Sequence, residues 1–258
     1  MALFFNYSKP GPGVSPDEPR KKGLRRIWEL FCRDFKSFWP AGFINLVMSL
    51  PFAFGLGHAR ATHSLLFAIL AGVLGGVIAA PGFLGLADTL LRSLRDEPGF
   101  WWHRYSRALK RGWKSTLLPG ALLGTVFSLQ YFTLMHMQLL EGGIGLFLCQ
   151  LVSMAVVLGI FAWALPQQAL LELSFSARLK NSVLLSIRHI IKTLLAVAIA
   201  LIYAIVVVFS FPGSVFLLLI AGLWLPLLCM LQIIYPVLDE TFGIEEAIEQ
   251  SRKRKNEE

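Results

Sequence analysis

RSLRDEPGFWWHRYSRALKRGWK, residues 92–114, is strongly basic, rich in aromatic side chains and set between two long apolar runs. Those flanks decide the fold class. The runs 64–87 and 115–140 are each long enough to cross the ~30 Å hydrocarbon layer of a bilayer as a helix. A helix pairs its own backbone N–H and C=O groups, which hydrocarbon cannot do for it. Four more runs share this character: 38–57, 144–165, 193–211 and 214–238. The reading is an all-α polytopic membrane protein with six transmembrane helices arranged as three hairpins.

Composition agrees. Of 258 residues, 55% are hydrophobic and only 16% charged, whereas a soluble domain is about a quarter charged. No separate soluble domain fits between the runs. The net charge of +8 is carried by residues flanking apolar segments, so the expected partners are anionic lipid headgroups and not nucleic acid. Cys32, Cys149 and Cys229 lie far apart and form neither a disulfide framework nor a zinc spacing.

Charge distribution orients the chain. In the short junctions 58–63, 141–143 and 212–213 the single basic residue is Arg60; the others lie in the N-terminal segment, the linkers 92–114 and 172–192, and the C-terminal tail. The positive-inside rule therefore places both termini and both long linkers on the cytoplasmic side of the cytoplasmic membrane. Phe211, Pro212 and Gly213 leave a re-entrant hairpin open as the alternative for the last pair. Residues 1–22, with Pro10, Pro12, Pro16 and Pro19, read as a flexible cytoplasmic arm, 23–238 as the six-helix membrane domain, and 239–258 as a charged cytoplasmic tail.

Each expected hairpin is preceded by an amphipathic stretch. Ile27, Phe31, Phe35 and Trp39 recur at helical spacing, as do Trp101, Tyr105, Leu109 and Trp113, and Phe175, Leu179, Val183, Ile187 and Ile191. Basic residues flank all three stripes, which predicts helices lying in the inner interface. At an offset of 78 residues, Lys36 aligns with Lys114 and Lys192, and Ser37 with Ser115 and Thr193. Two readings of that alignment stand: a unit repeated three times, or the common appearance of any basic amphipathic helix entering a membrane.

Asn45, Leu46, Val47, Met48, Ser49, Leu50 and Pro51, and again Leu94, Arg95, Asp96, Glu97, Pro98, Gly99 and Phe100, carry a resemblance to the YesL-like family of bacterial integral membrane proteins. The resemblance is most specific over the first 115 residues. It implies a membrane protein of five or six helices without an assigned activity, of a kind that often accompanies carbohydrate-uptake systems. It supplies no catalytic residues.

Two candidate sites follow. Arg95, Asp96, Glu97, Pro98 and Gly99 are read either as a docking loop presenting charge to a partner, a sugar-transport permease or its ATPase being the expected kind, or simply as a helix end followed by a turn. Arg92, Arg107, Lys110, Arg111 and Lys114 are the expected anionic-lipid contacts, holding Trp101, Tyr105 and Trp113 in the headgroup region. Asp88, four residues before Arg92, is expected to pair with it. His58, His63, His136 and Glu141 share the opposite face without metal-ligand spacing. Gly72, Gly76, Gly120 and Gly124 predict close packing of the second and third helices.

No GxSxG, HExxH, P-loop or CxxC pattern occurs. The expectation is therefore a non-catalytic accessory or regulatory component linked to carbohydrate uptake, with no cofactor and no metal. A small-solute transporter or channel is the alternative.

Overall fold

The computed structural model describes residues 20–21, 23–97, 99–137, 143–248 and 250. Most of the expected arm 1–22, the end of the tail, Pro98 and Glu141 lie outside the described residues. The helices of the described residues run in the order α1 Leu24–Ala61, α2 Leu65–Leu94, α3 Trp101–Met135, α4 Gly143–Leu170, α5 Phe175–Arg188, α6 Ile190–Phe209, α7 Ser214–Ile220 and α8 Trp224–Phe242, with further helical residues at 244–248. Six of them, α1, α2, α3, α4, α6 and α8, are long and apolar enough to span a membrane. Their outward faces carry large apolar side chains, such as Val208 at 69% and Phe209 at 84% exposure. In water such a surface would be an aggregation site; in a bilayer it is a solvated one.

Two helices run further than the sequence pattern suggests. α1 has 38 residues, or about 57 Å at 1.5 Å per residue, well beyond the ~30 Å hydrocarbon thickness. Its amphipathic beginning and its apolar remainder form one helix, and the same holds for α3. A change from amphipathic to apolar composition does not interrupt backbone hydrogen bonding. Pro40 in α1 and Pro119 in α3 are both accommodated within the helix. In the third case a break is present: His189, at φ −116° and ψ 49°, separates α5 from α6.

The stripes are enclosed further than the sequence pattern suggests. Ile27, Phe31 and Phe35 pack against the core, with Phe31 stacked 6.0 Å from Trp224. Tyr105 is only 1% exposed, and Trp101 and Leu109 pack beside it. The reason is local space: a Cβ at Gly85 would fall 2.7 Å from the Tyr105 ring, so glycine on α2 makes the seat that Tyr105 occupies. Trp102 and Trp113 are the rings that remain outside. On α5 the expected outward stripe is present, with Leu179 and Ile187 exposed and the polar Arg178 and Ser182 turned inward.

α2 is the centre of the assembly. From Ala79 to Leu94 nearly every residue is buried, among them Leu84, Leu86, Leu90 and Leu91. These join Leu30 and Phe38 of α1, Tyr105 of α3, Leu165 of α4 and Trp224, Leu228 and Leu231 of α8 in one core. A second core gathers Trp163, Leu185, Ala196, Met230 and Ile234.

α2 and α3 run antiparallel and meet through the expected glycines. A Cβ at Gly72 would lie 2.6 Å from the Cα of Thr125, and one at Gly124 would lie 2.7 Å from the Cα of Gly76. Backbone stands on both sides, so neither helix can yield by moving a side chain. Gly76→Val should destabilise the protein by about 1–3 kcal/mol through overpacking. Gly145→Ala, with open space around it, should stay within about 0.5 kcal/mol of the parent; thermal unfolding in detergent compares the two.

Candidate functional site

The end of α2 gathers the charges. Asp96 follows the helix with φ 58°, a left-handed conformation usually left to glycine. Its N–H donates to the carbonyl of Ser93 at 3.1 Å, and the N–H of Glu97 donates to that of Arg92 at 3.0 Å. This double closure is a Schellman cap. Side-chain donors also reach the carbonyls of this last turn. Arg26 reaches Leu94 at 3.2 Å, Arg33 reaches Ser93 at 2.9 Å and Arg20 reaches Arg95 at 3.3 Å. Three guanidinium groups thus sit at the negative end of the α2 dipole, where cations are favoured.

The same three arginines grip Asp96. Its Oδ2 accepts from Arg26 at 2.7 Å and from Arg20 at 3.0 Å, and its Oδ1 accepts from Arg26 at 2.8 Å and also from Arg33. Burial alone would push the Asp96 carboxyl up; the hydrogen bonds and charge of Arg33 and Arg26 outweigh it and hold the group below its ordinary value. Neighbouring pairs extend the network. Arg92 bonds Asp88 and Glu97, both at 2.8 Å, Arg95 bonds Glu97 at 3.0 Å, and the Ser93 hydroxyl bonds Asp34. Arg20 also bonds Glu245 at 2.6 Å, and the Tyr235 hydroxyl donates to that carboxylate at 2.9 Å. The chain just past α8 is thereby tied to the end of α2.

Of the expected docking residues, Arg95, Asp96 and Glu97 are engaged within the protein, while Gly99 is exposed. Arg95 and Glu97 side chains are 6% and 7% exposed, and Asp96 is shared among three arginines. A cavity of about 50 Å³ lies beside them, bordered by Asp34, Arg92, Glu97 and Trp101. Of the expected lipid contacts, Arg92 turns inward as half of the Asp88 pair, the pairing anticipated from their spacing. Arg107, Lys110, Arg111 and Lys114 are exposed on α3, with the Lys114 ammonium 5.6 Å from the centre of the Trp113 ring. Arg20, Arg26 and Arg33 were not singled out by sequence; the available signal was the seven-residue spacing of Arg26 and Arg33, which puts them on one helical face.

At the opposite end, His63 and His136 meet, with Nδ1 of the first 2.9 Å from Nε2 of the second. His58 packs separately on Phe67. Among the described residues no group of three or more His, Cys, Asp or Glu side chains is placed to hold a metal. Deeper in the bundle, Gln130 donates to Ser153 at 2.9 Å and Gln150 to the Gln130 carbonyl at 3.0 Å, while the Ser128 hydroxyl bonds the Ala68 carbonyl. Asn45 is fully buried against Gly82, its amide unpartnered among the described residues.

The chain matches no protein-family model, no curated protein and no solved structure.

Asp96→Asn keeps a residue tolerated in the left-handed region but removes the charge, and should cost about 1.5–3 kcal/mol. Asp96→Gly should be destabilised too, although its backbone is relieved; unfolding of a Gly variant at or above the parental temperature would mean that backbone relief offsets or outweighs the ion pairs. Because the folded Asp96 pKa is depressed, its contribution is complete above the ordinary aspartate value of about 3.9 and is lost as the pH falls further, through the folded pKa. Acid unfolding of the parent, but less so of Asp96→Asn, should show this loss.

Proposed function

We propose that this chain is a multi-pass protein of the cytoplasmic membrane, with both termini cytoplasmic, that acts through binding as a non-catalytic accessory or regulatory component. Its six spans form three hairpins, and the 78-residue correspondence reflects a repeated unit. The succession of α1 with α2 and of α3 with α4 as pairs of long apolar helices supports that arrangement, and α6 with α8, interrupted by the short α7, makes the third pair. The tie to carbohydrate uptake, and to a permease or its ATPase as partner, rests on the resemblance to YesL-like proteins alone. Its working surface is the basic face of α3, where Arg107, Lys110, Arg111 and Lys114 are exposed and meet anionic headgroups beside Trp102 and Trp113.

The observation that carries this reading over a transporter is the interruption between α7 and α8. In secondary transporters, unwound helix segments leave carbonyls open for the ion or substrate. Here the Leu219 carbonyl accepts from Trp39 at 2.9 Å, the Ile220 carbonyl from Trp224 at 3.1 Å, and the Gly222 carbonyl from the Tyr203 hydroxyl. Side chains of the protein occupy those acceptors. The interruption serves to seat Trp224, whose ring fills the space beside Gly42, where a Cβ would fall 2.5 Å away.

Single cysteines test the orientation after Cys32, Cys149 and Cys229 are replaced. An impermeant maleimide on intact cells should label Thr62→Cys and should reach Lys110→Cys only after permeabilisation; the reverse pattern would overturn the orientation. Vesicles holding the purified chain alone should pass no neutral sugar. Flux above empty vesicles would transfer the assignment to a transporter.

A further inference from the structure

A second cavity, of about 300 Å³, opens between α2, α3, α4 and α5. Its wall includes Arg178, Arg111, Ser115, Gln168, Asp88 and Glu172. Arg178 is 6% exposed. One of its nitrogens, Nη2, donates to the Leu173 carbonyl at 3.0 Å. The other two, Nε and Nη1, are buried without a hydrogen-bond partner among the described residues.

An arginine keeps its charge in proteins, and a buried charge left unpaired is among the costliest features a fold can carry. Burial pushes the Arg178 guanidinium down from the ordinary arginine value, and no carboxylate acts against it. Of the two acids on the wall, Asp88 is engaged by Arg92 at 2.8 Å, and Glu172 is exposed. Arg111 adds a second cation that is in no ion pair among the described residues. The Ser115 hydroxyl donates to the Gly112 carbonyl at 2.8 Å, while Gln168 donates to the Ser115 carbonyl at 3.2 Å and has a second N–H to offer.

The position of Arg178 is built. On α5 the apolar side chains Leu179, Leu184 and Ile187 face out, and Arg178, Ser182 and Leu185 face in. Ser182 is fixed by the Gln167 amide at 3.0 Å, and the Ser174 hydroxyl caps the first turn by accepting from the Ala177 N–H at 3.3 Å. α5 thus brings one guanidinium inside, on the face it shares with Ser182 and Leu185. A structural arginine would be met by a carboxylate of the same chain; this one is met by a cavity.

We propose that this cavity binds the phosphate group of a phosphate ester, with Arg178 as its buried donor and Arg111 as the cation at its mouth. A phosphoryl oxygen accepts from several N–H donors at once and carries the missing negative charge. The volume leaves room for the phosphate together with part of the group esterified to it. A phospholipid headgroup and a soluble phosphate ester share this chemistry. The site is independent of the orientation assigned above.

The test uses the full chain purified in neutral detergent, with thermal unfolding followed against three probes: inorganic phosphate, glycerol 3-phosphate and short-chain phosphatidylglycerol, each at constant ionic strength set with chloride. At least one probe should raise the unfolding temperature saturably, and Arg178→Gln should weaken its binding about tenfold or more. Arg188→Gln, at the far end of α5, should bind as the parent does. Stabilisation by the lipid only assigns the site to a headgroup. Stabilisation by glycerol 3-phosphate without the lipid assigns it to a soluble ester.

A second measurement covers the case in which Arg178→Gln fails to fold. In the parent protein the effective probe should protect Arg178 from phenylglyoxal, read by peptide mass spectrometry, while Arg188 continues to react. No saturable effect from any probe, equal binding by parent and Arg178→Gln, or unprotected Arg178 would each overturn the proposal.

Discussion

A helix that ends inside a protein must have its last carbonyls met by donors, because water is not there to meet them. α2 ends in this way. Its second half is the most enclosed segment of the chain, packed by α1, α3, α4 and α8, and its terminus is closed by arginines that come from before and within α1. Asp96 makes the arrangement self-consistent. It supplies the left-handed residue that the cap needs and the negative charge that lets three guanidinium groups approach one another. Without that carboxylate the same arginines would repel, and the carbonyls they serve would lose their donors together.

This constraint orders much of what surrounds it. α1 extends well past a membrane thickness because its first turns carry Arg26 and Arg33, which have to reach beyond the end of α2. Arg20 carries the connection one step further, to Glu245, so that both ends of the described chain converge on one helix terminus. The two glycine pairs between α2 and α3 act at the opposite side of the same helix. There the requirement is closeness of backbones, in keeping with the general reliance of membrane helices on small residues for packing.

The apolar runs were legible because transmembrane length and hydropathy are properties of single segments. So were the glycine faces and the Asp88–Arg92 pair, which depend on spacing along one helix. What could not be read was direction. The stripe Trp101, Tyr105, Leu109 and Trp113 has the periodicity of a helix lying on a bilayer, and the same periodicity serves a helix whose apolar side meets Gly85 of a neighbour. Only the neighbour distinguishes them. Likewise the sequence leaves Arg95, Asp96 and Glu97 between presented charge and a helix end until Arg20, Arg26 and Arg33 are placed around Asp96, a pairing across 63 to 76 residues that no local pattern announces. The break at His189, against unbroken helices at the two matching positions, shows the same dependence on context.

The outward apolar residues of α5 bear on how that helix is kept in place. A soluble helix is bound to its protein by its greasy side and freed by exposing it. α5 is divided: Leu185 packs in the second core and Ser182 bonds Gln167 of α4, while Leu179, Leu184 and Ile187 belong to whatever medium surrounds the protein. The lipid or detergent therefore acts as one of its structural partners, and the solubilising medium becomes a variable of the fold at this element.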